Sequence, residues 1–216
     1  MAITTIAPTI LTNDPNEYNE TVKKYYNFAK RVHVDVSDGT LTDTITIDET
    51  AIWWPKGWTV DLHMITSIPS KHVENLIKLK PNLVIFHAEA NEDLLPIFKQ
   101  LQDQKIKVGV CIIKSVYPGN ITSLLQKADH ALIFSGKLGH YGGEADPLLL
   151  EKVSLIRDIA PSIEIGWDGG ANLENTHVIT HCGVDVINVG SAISKAEDQA
   201  AAYQALNKAT EKMEAI

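Results

Sequence analysis

Short runs of β-branched and other apolar residues recur along this chain. Most are followed by a stretch whose apolar positions repeat at helical spacing. The runs predict strands at Ile3–Ala7, Val32–Val36, Thr59–Leu62, Leu83–Phe86, Ile106–Ile112, Ala131–Phe134, Ile163–Trp167 and Val184–Val189. Continuous apolar runs of this length suit strands buried on both faces, as in a parallel sheet. Between them, Tyr18, Val22, Tyr25 and Ala29 mark one helical stripe. Leu94, Ile97, Phe98 and Leu101 mark a second, Leu149, Val153 and Ile156 a third, and Ala202, Leu206, Ala209 and Met213 a fourth. Asp14-Pro15 and Asp146-Pro147 read as helix N-caps followed by proline in the first turn. The segment 37–55 carries at most a short helix.

Eight such units in 216 residues leave about 27 residues for each. That length suits a closed α/β barrel of the (β/α)8, or TIM, type, spanning residues 1–216 as a single domain. An open doubly wound sheet is the rival architecture. The barrel is favoured because the chemically interesting residues fall at strand C-termini all along the chain.

Composition narrows the partners. Hydrophobic residues make up 44% and charged residues 21%, which is ordinary for a globular protein. The formal charge of −8 argues against nucleic acid or an anionic membrane as partner, but leaves room for one small anion in a local pocket. Cys111 and Cys182 are the only cysteines and form no C-x-x-C pair, so neither a disulfide framework nor a cysteine zinc site is expected. The N-terminus lacks the basic-then-apolar pattern of a secretory signal, and no apolar run approaches the ~20 residues of a membrane span. A cytoplasmic protein with a small-molecule substrate is expected. A homo-oligomer is the expected assembly.

Three strand ends carry acid, base or ligand groups. His33-Val34-Asp35 ends the second strand, and alternation points both polar side chains to one side. His63, in Asp61-Leu62-His63-Met64, ends the third. Asp168, in Trp167-Asp168-Gly169-Gly170, ends the seventh. Each has a plain structural reading: a His–Asp hydrogen bond, a satisfied core histidine, an Asp-Gly turn. Together, two imidazoles and two carboxylates at one end of a barrel suit a borderline divalent cation such as zinc, iron, cobalt or manganese. The two carboxylates, Asp35 and Asp168, also suit proton transfer on two faces of a substrate. His72, His130, His177 and His181 read as surface or packing residues. His87 follows the fourth strand and reads as a residue of the barrel mouth outside the ligand set.

Glycines cluster after the last three strands: Ser135 to Gly143, then Gly169-Gly170, then Gly190-Ser191. Backbone N–H groups in such loops can cradle a phosphate dianion, and barrels often bind phosphate there. One glycine loop alone is only a turn; three after consecutive strands are more.

At this point the chain resembles the ribulose-phosphate 3-epimerase family. The matching segments are Ala7-Pro8-Thr9-Ile10-Leu11, His33 to Gly39, Asp61 to Met64, Phe86-His87-Ala88-Glu89, Asp168-Gly169-Gly170 and Gly190 to Ile193, in family order across nearly the whole chain. The resemblance implies a metal-dependent (β/α)8 barrel that inverts C3 of a ketose phosphate, D-ribulose 5-phosphate first among them. It implies His33, Asp35, His63 and Asp168 as metal ligands, with Asp35 and Asp168 as the catalytic acid and base. It implies Thr9 (serine in most relatives), His63, Gly142, Gly143, Gly169, Gly170, Gly190 and Ser191 as substrate-binding residues.

The chain also departs from the family. Ser37, Ile65 and Phe134 stand where relatives carry methionine. Thr40 to Thr44 replaces a His-Phe-Val-Pro-Asn segment. The phosphate loop reads Lys137 to Glu144 and is slightly longer. These changes leave open a hexulose phosphate, of the allulose 6-phosphate type, as the substrate. A lyase or decarboxylase barrel would carry Asp-x-Lys-x-x-Asp at the third strand, and Asp61 to Thr66 has no lysine. A barrel that only binds a metabolite is the non-enzymatic reading.

Overall fold

The structure, a computed structural model, describes residues 4–140 and 142–211. Eight parallel strands close into a barrel in chain order: β1 Thr5–Ile10, β2 Arg31–Ser37, β3 Thr59–Ile65, β4 Leu83–His87, β5 Lys107–Ile112, β6 His130–Phe134, β7 Glu164–Asp168 and β8 Val186–Val189. The outer helices are α1 Pro15–Tyr26, α2 Val73–Leu79, α3 Leu94–Asp103, α4 Thr122–Leu125, α5 Glu151–Ile159, α6 Thr176–His181, α7 Ser191–Ser194 and α8 Gln199–Ala209. The barrel expected from the strand–helix repeat is the fold observed.

The repeat is uneven. Between β2 and β3 the only regular helical structure is a 3₁₀ turn at Glu49–Ala51, and β8 is followed by two helices. The first strand also differs from its expected bounds. Ile3 lies outside the described residues, and β1 runs past Pro8 to Ile10. Pro8 removes one ladder donor but keeps its register opposite Val189, while Thr9 and Ile10 go on to pair with His33 and Val34.

Strand alternation sorts the side chains. On β2, Val32, Val34 and Val36 join the apolar core under the helices; on β3, Val60, Leu62 and Met64 do so; on β7, Ile165 and Trp167. The alternate residues face the barrel interior, so these three strands alternate between apolar outside and polar inside. The helical stripes meet the core as expected. α1 buries Tyr18, Val22 and Tyr25, and α3 buries Leu94, Ile97, Phe98 and Leu101. On α8 only Leu206 is buried, and Met213 lies outside the described residues. Asp14 caps α1 by accepting the Asn16 N–H at 2.8 Å. Asp146 accepts from Leu148, and there the proline opens a 3₁₀ turn ahead of α5.

The N-terminal end of the barrel is closed by charge. Arg31 Nε donates to Asp61 at 2.6 Å, and its two terminal nitrogens grip both oxygens of Glu164 at 2.8 and 2.7 Å. His130 Nδ1 lies 2.8 Å from Glu164, so this histidine is a packing residue, as expected. Asp61 is buried, and removing one partner of such a pair leaves a desolvated charge behind. Arg31→Met is therefore expected to cost about 3–5 kcal/mol of stability. Denaturant unfolding checks this, and a midpoint equal to the parent's would contradict it.

Candidate metal and proton-transfer site

Register brings the polar ends together. Asp35 on β2 sits opposite His63 on β3, and Thr9 on β1 sits opposite His33. Asp168 ends β7. His63 Nδ1 is 2.9 Å from Asp35 Oδ1 and 3.9 Å from Asp168 Oδ2. His33 Nε2 is 3.2 Å from Asp35 Oδ1 and 3.5 Å from Asp168 Oδ2. One atom from each residue falls within 4.8 Å of the others. All four residues are buried, and neither ring nitrogen of His33 has a hydrogen-bond partner. Two imidazole nitrogens and two carboxylate oxygens converging this way fit a borderline divalent cation, and the unsatisfied His33 is explained if it is a ligand.

The two carboxylates are driven apart. Burial alone would raise Asp35, but the His33 and His63 rings beside it outweigh that and hold the carboxyl well below the usual range. Asp168 is pushed up to about 7, first by burial and then by the charge of Asp35 beside it. Burial acts to lower His33, yet Asp35 raises it overall, whereas burial prevails at His63 and lowers it. Near neutral pH the pair is thus split, with Asp35 ionised and Asp168 able to hold a proton.

His87 proves to be the last residue of β4 and lies behind the site. Its Nε2 is 2.9 Å from His63 Nε2, and the two rings stack with centroids 4.9 Å apart. It is not one of the four converging residues, and it does not line the pocket at the mouth, where the sequence pattern suggests it. With Cys111 it forms a second grouping around His63. That grouping contains no carboxylate, and burial pushes the Cys111 thiol well up, so the sulfur stays protonated and is a poor ligand.

Above the four residues a pocket opens at the C-terminal mouth. Thr9, Asp35, Asp168, Gly142, Gly169, Gly170, Gly190 and Ser191 all line it, as do Lys137 and His140. Gly143, His33 and His63 are absent from that lining. Two of the departures from the family matter here: Ile65 and Phe134 form part of the wall. Ser37 instead is buried and donates to the Thr44 carbonyl at 2.7 Å. The two divergent loops touch each other over the mouth. Thr42 Oγ1 donates to the Leu138 carbonyl at 3.2 Å, and Thr44 Oγ1 lies 3.5 Å from His140 Nε2. Gly169 and Gly170 have positive φ, and a Cβ there would collide with the backbone of Gly136 and Ala145. Their first structural service is to let the loop after β6 rest on the loop after β7.

A match to the ribulose-phosphate 3-epimerase family covers residues 5–194. The chain belongs to that family. Among curated relatives, the ribulose-phosphate 3-epimerase of Helicobacter pylori is 27% identical over 208 residues, covering 93% of this chain and 95% of the relative. That of Synechocystis is 30% identical over 209 residues, covering 91% and 90%. Among solved structures, 3-hexulose-6-phosphate synthase of Salmonella typhimurium superposes with a TM-score of 0.70 at 17% identity, covering 96% and 98% of the two chains. At that identity the likeness is one of fold. The isomerase class expected from the motifs is that of the family.

The raised Asp168 gives metal binding a pH dependence with a definite sign. A cation competes with protons on Asp168 and on His33, which is also raised, so apparent affinity falls as the pH drops through about 7. A chelator-competition titration of manganese or zinc reads this directly. Affinity that stays flat from neutral pH down to about pH 5.5 would contradict it.

Proposed function

We propose that this chain is a divalent-metal-dependent 3-epimerase of a ketose phosphate, interconverting D-ribulose 5-phosphate and D-xylulose 5-phosphate. The observation that carries the reading is geometric: Asp35 from β2 and Asp168 from β7 line one pocket at the barrel mouth, and burial beside Asp35 raises Asp168. The hydrogen on C3 of a 2-ketose is α to a carbonyl and weakly acidic. Asp35, ionised, takes that proton from one face and leaves an ene-diolate. Asp168, protonated, returns a proton to C3 from the other face. The reverse reaction exchanges the two roles. His33, Asp35, His63 and Asp168 would hold a divalent cation, which when bound would supply Lewis-acid stabilisation of the negative charge.

The remaining lining residues fit a substrate with a phosphate tail. Gly142, Gly169, Gly170, Gly190 and Ser191 bring main chain to one side of the pocket, with Lys137 and His140 adding side chains beside them. A local anion site is required, because a net charge of −8 repels a dianion at long range. A cytoplasmic location is part of the same proposal, supported by the rice relative, which is named a cytoplasmic isoform. Ile65, Phe134 and the paired loops favour a second reading, a hexulose phosphate of the allulose 6-phosphate type, since they reshape the wall that faces the sugar.

Turnover across a panel of ketoses, each with and without its phosphate, tests the proposal. A phosphorylated ketose should be epimerised at C3, and removing the phosphate should lower kcat/KM. Asp168→Asn should lower the rate by about 10²–10⁴-fold, the usual cost of one positioned acid or base. An Asp168→Asn protein that epimerises at the parent rate would exclude Asp168 as the proton carrier. Equal kcat/KM with and without phosphate would remove the phosphate site.

A further inference from the structure

We propose that Asn188 binds a hydroxyl of the substrate between the reacting carbon and the phosphate, and so helps to set which ketose phosphate the pocket accepts. The inference rests on the reading of the pocket as a ketose-phosphate site. Asn188 lies near the end of β8, with Asp168 of β7 opposite it on one side and Ala7 of β1 on the other. Its neighbours Ile187 and Val189 belong to the apolar core under the helices, so alternation turns Asn188 to the barrel interior. It lines the same pocket as Asp35 and Asp168.

The residue is only 2% exposed, and among the described residues its carboxamide oxygen has no hydrogen-bond partner. A buried amide oxygen without a partner is destabilising, and an aliphatic side chain would fill this wall without that cost. A partner that arrives with the substrate accounts for the amide. Position says which part of the substrate. Asp168 is its neighbour across the sheet, where the reacting carbon is handled. Gly190 and Ser191 follow two and three residues later, just past the end of β8, on the phosphate side. The carbons between C3 and the phosphate must therefore pass Asn188. A pentulose 5-phosphate has one hydroxyl-bearing carbon in that stretch and a hexulose 6-phosphate has two. A carboxamide offers both an acceptor and a donor, and a half-turn of its terminal torsion exchanges them, so it complements a hydroxyl in either sense.

The test uses the metal-loaded protein and two sugars that cannot be enolised: ribitol 5-phosphate and its 4-deoxy analogue. Calorimetry should find that the parent binds the hydroxylated sugar roughly 10- to 100-fold more tightly. In Asn188→Val the gap should shrink to within about threefold, through weaker binding of the hydroxylated sugar. Asn188→Ala serves as a second variant that adds room instead of bulk. A parent without the gap, or a gap of undiminished size in both variants, overturns the proposal, because an amide that only packs beside Asp168 would weaken both sugars alike. Solvent exchange at C3 of ribulose 5-phosphate in the parent reports on the reaction separately. Its absence with the binding gap intact would overturn the epimerase reading and leave Asn188 assigned.

Discussion

The site depends on one constraint, the period-two alternation of β2 held in register with β3. Every second residue of β2 is valine and packs outward, which forces Arg31, His33, Asp35 and Ser37 toward the interior. Pairing Asp35 with His63 then places a carboxylate oxygen within 2.9 Å of one imidazole and 3.2 Å of another. A register slip of one residue would turn valines inward and these polar groups out into the helical layer. Asp168 closes the constellation from β7. Its own burial and the charge of Asp35 make it the group that keeps a proton.

The same strands serve both ends of the barrel. β2, β3 and β7 supply Arg31, Asp61 and Glu164 at the N-terminal end, and His33, Asp35, His63 and Asp168 toward the mouth. In the lower cluster Arg31 is hydrogen-bonded to both Asp61 and Glu164, a structural plug. The upper one leaves both nitrogens of His33 unsatisfied and opens into a pocket. This division follows the usual polarity of the fold, with stability at the bottom and chemistry at the top. Barrels such as 3-hexulose-6-phosphate synthase share the frame with this chain. In this chain β3 carries His63 and no lysine.

The barrel and its four central residues were legible in the sequence because they break a strong pattern. A histidine and an aspartate two apart in a run of valines have no packing reason to be there. What stayed hidden is what depends on neighbours distant in the chain. Asn188 looks like one polar interruption in an apolar run until β7 is laid beside it. Gly169 and Gly170 read as a turn or a ligand-facing loop, while the backbone they accommodate belongs to the preceding loop. The pairing of Thr42 and Thr44 with the loop after β6 joins residues 96 apart. The run of β1 past Pro8 was obscured by a residue that ordinarily ends strands.

In the proposed mechanism two separate carboxylates handle the C3 proton from opposite faces. Epimerisation in deuterium oxide tests it most directly. At early turnover the product epimer should carry deuterium at C3, while recovered substrate keeps its original hydrogen, because the proton taken by one carboxylate is not the one delivered by the other. Product that retains the substrate's own C3 hydrogen would mean that a single group carries the proton across, and would contradict the assignment of Asp35 and Asp168 as a pair.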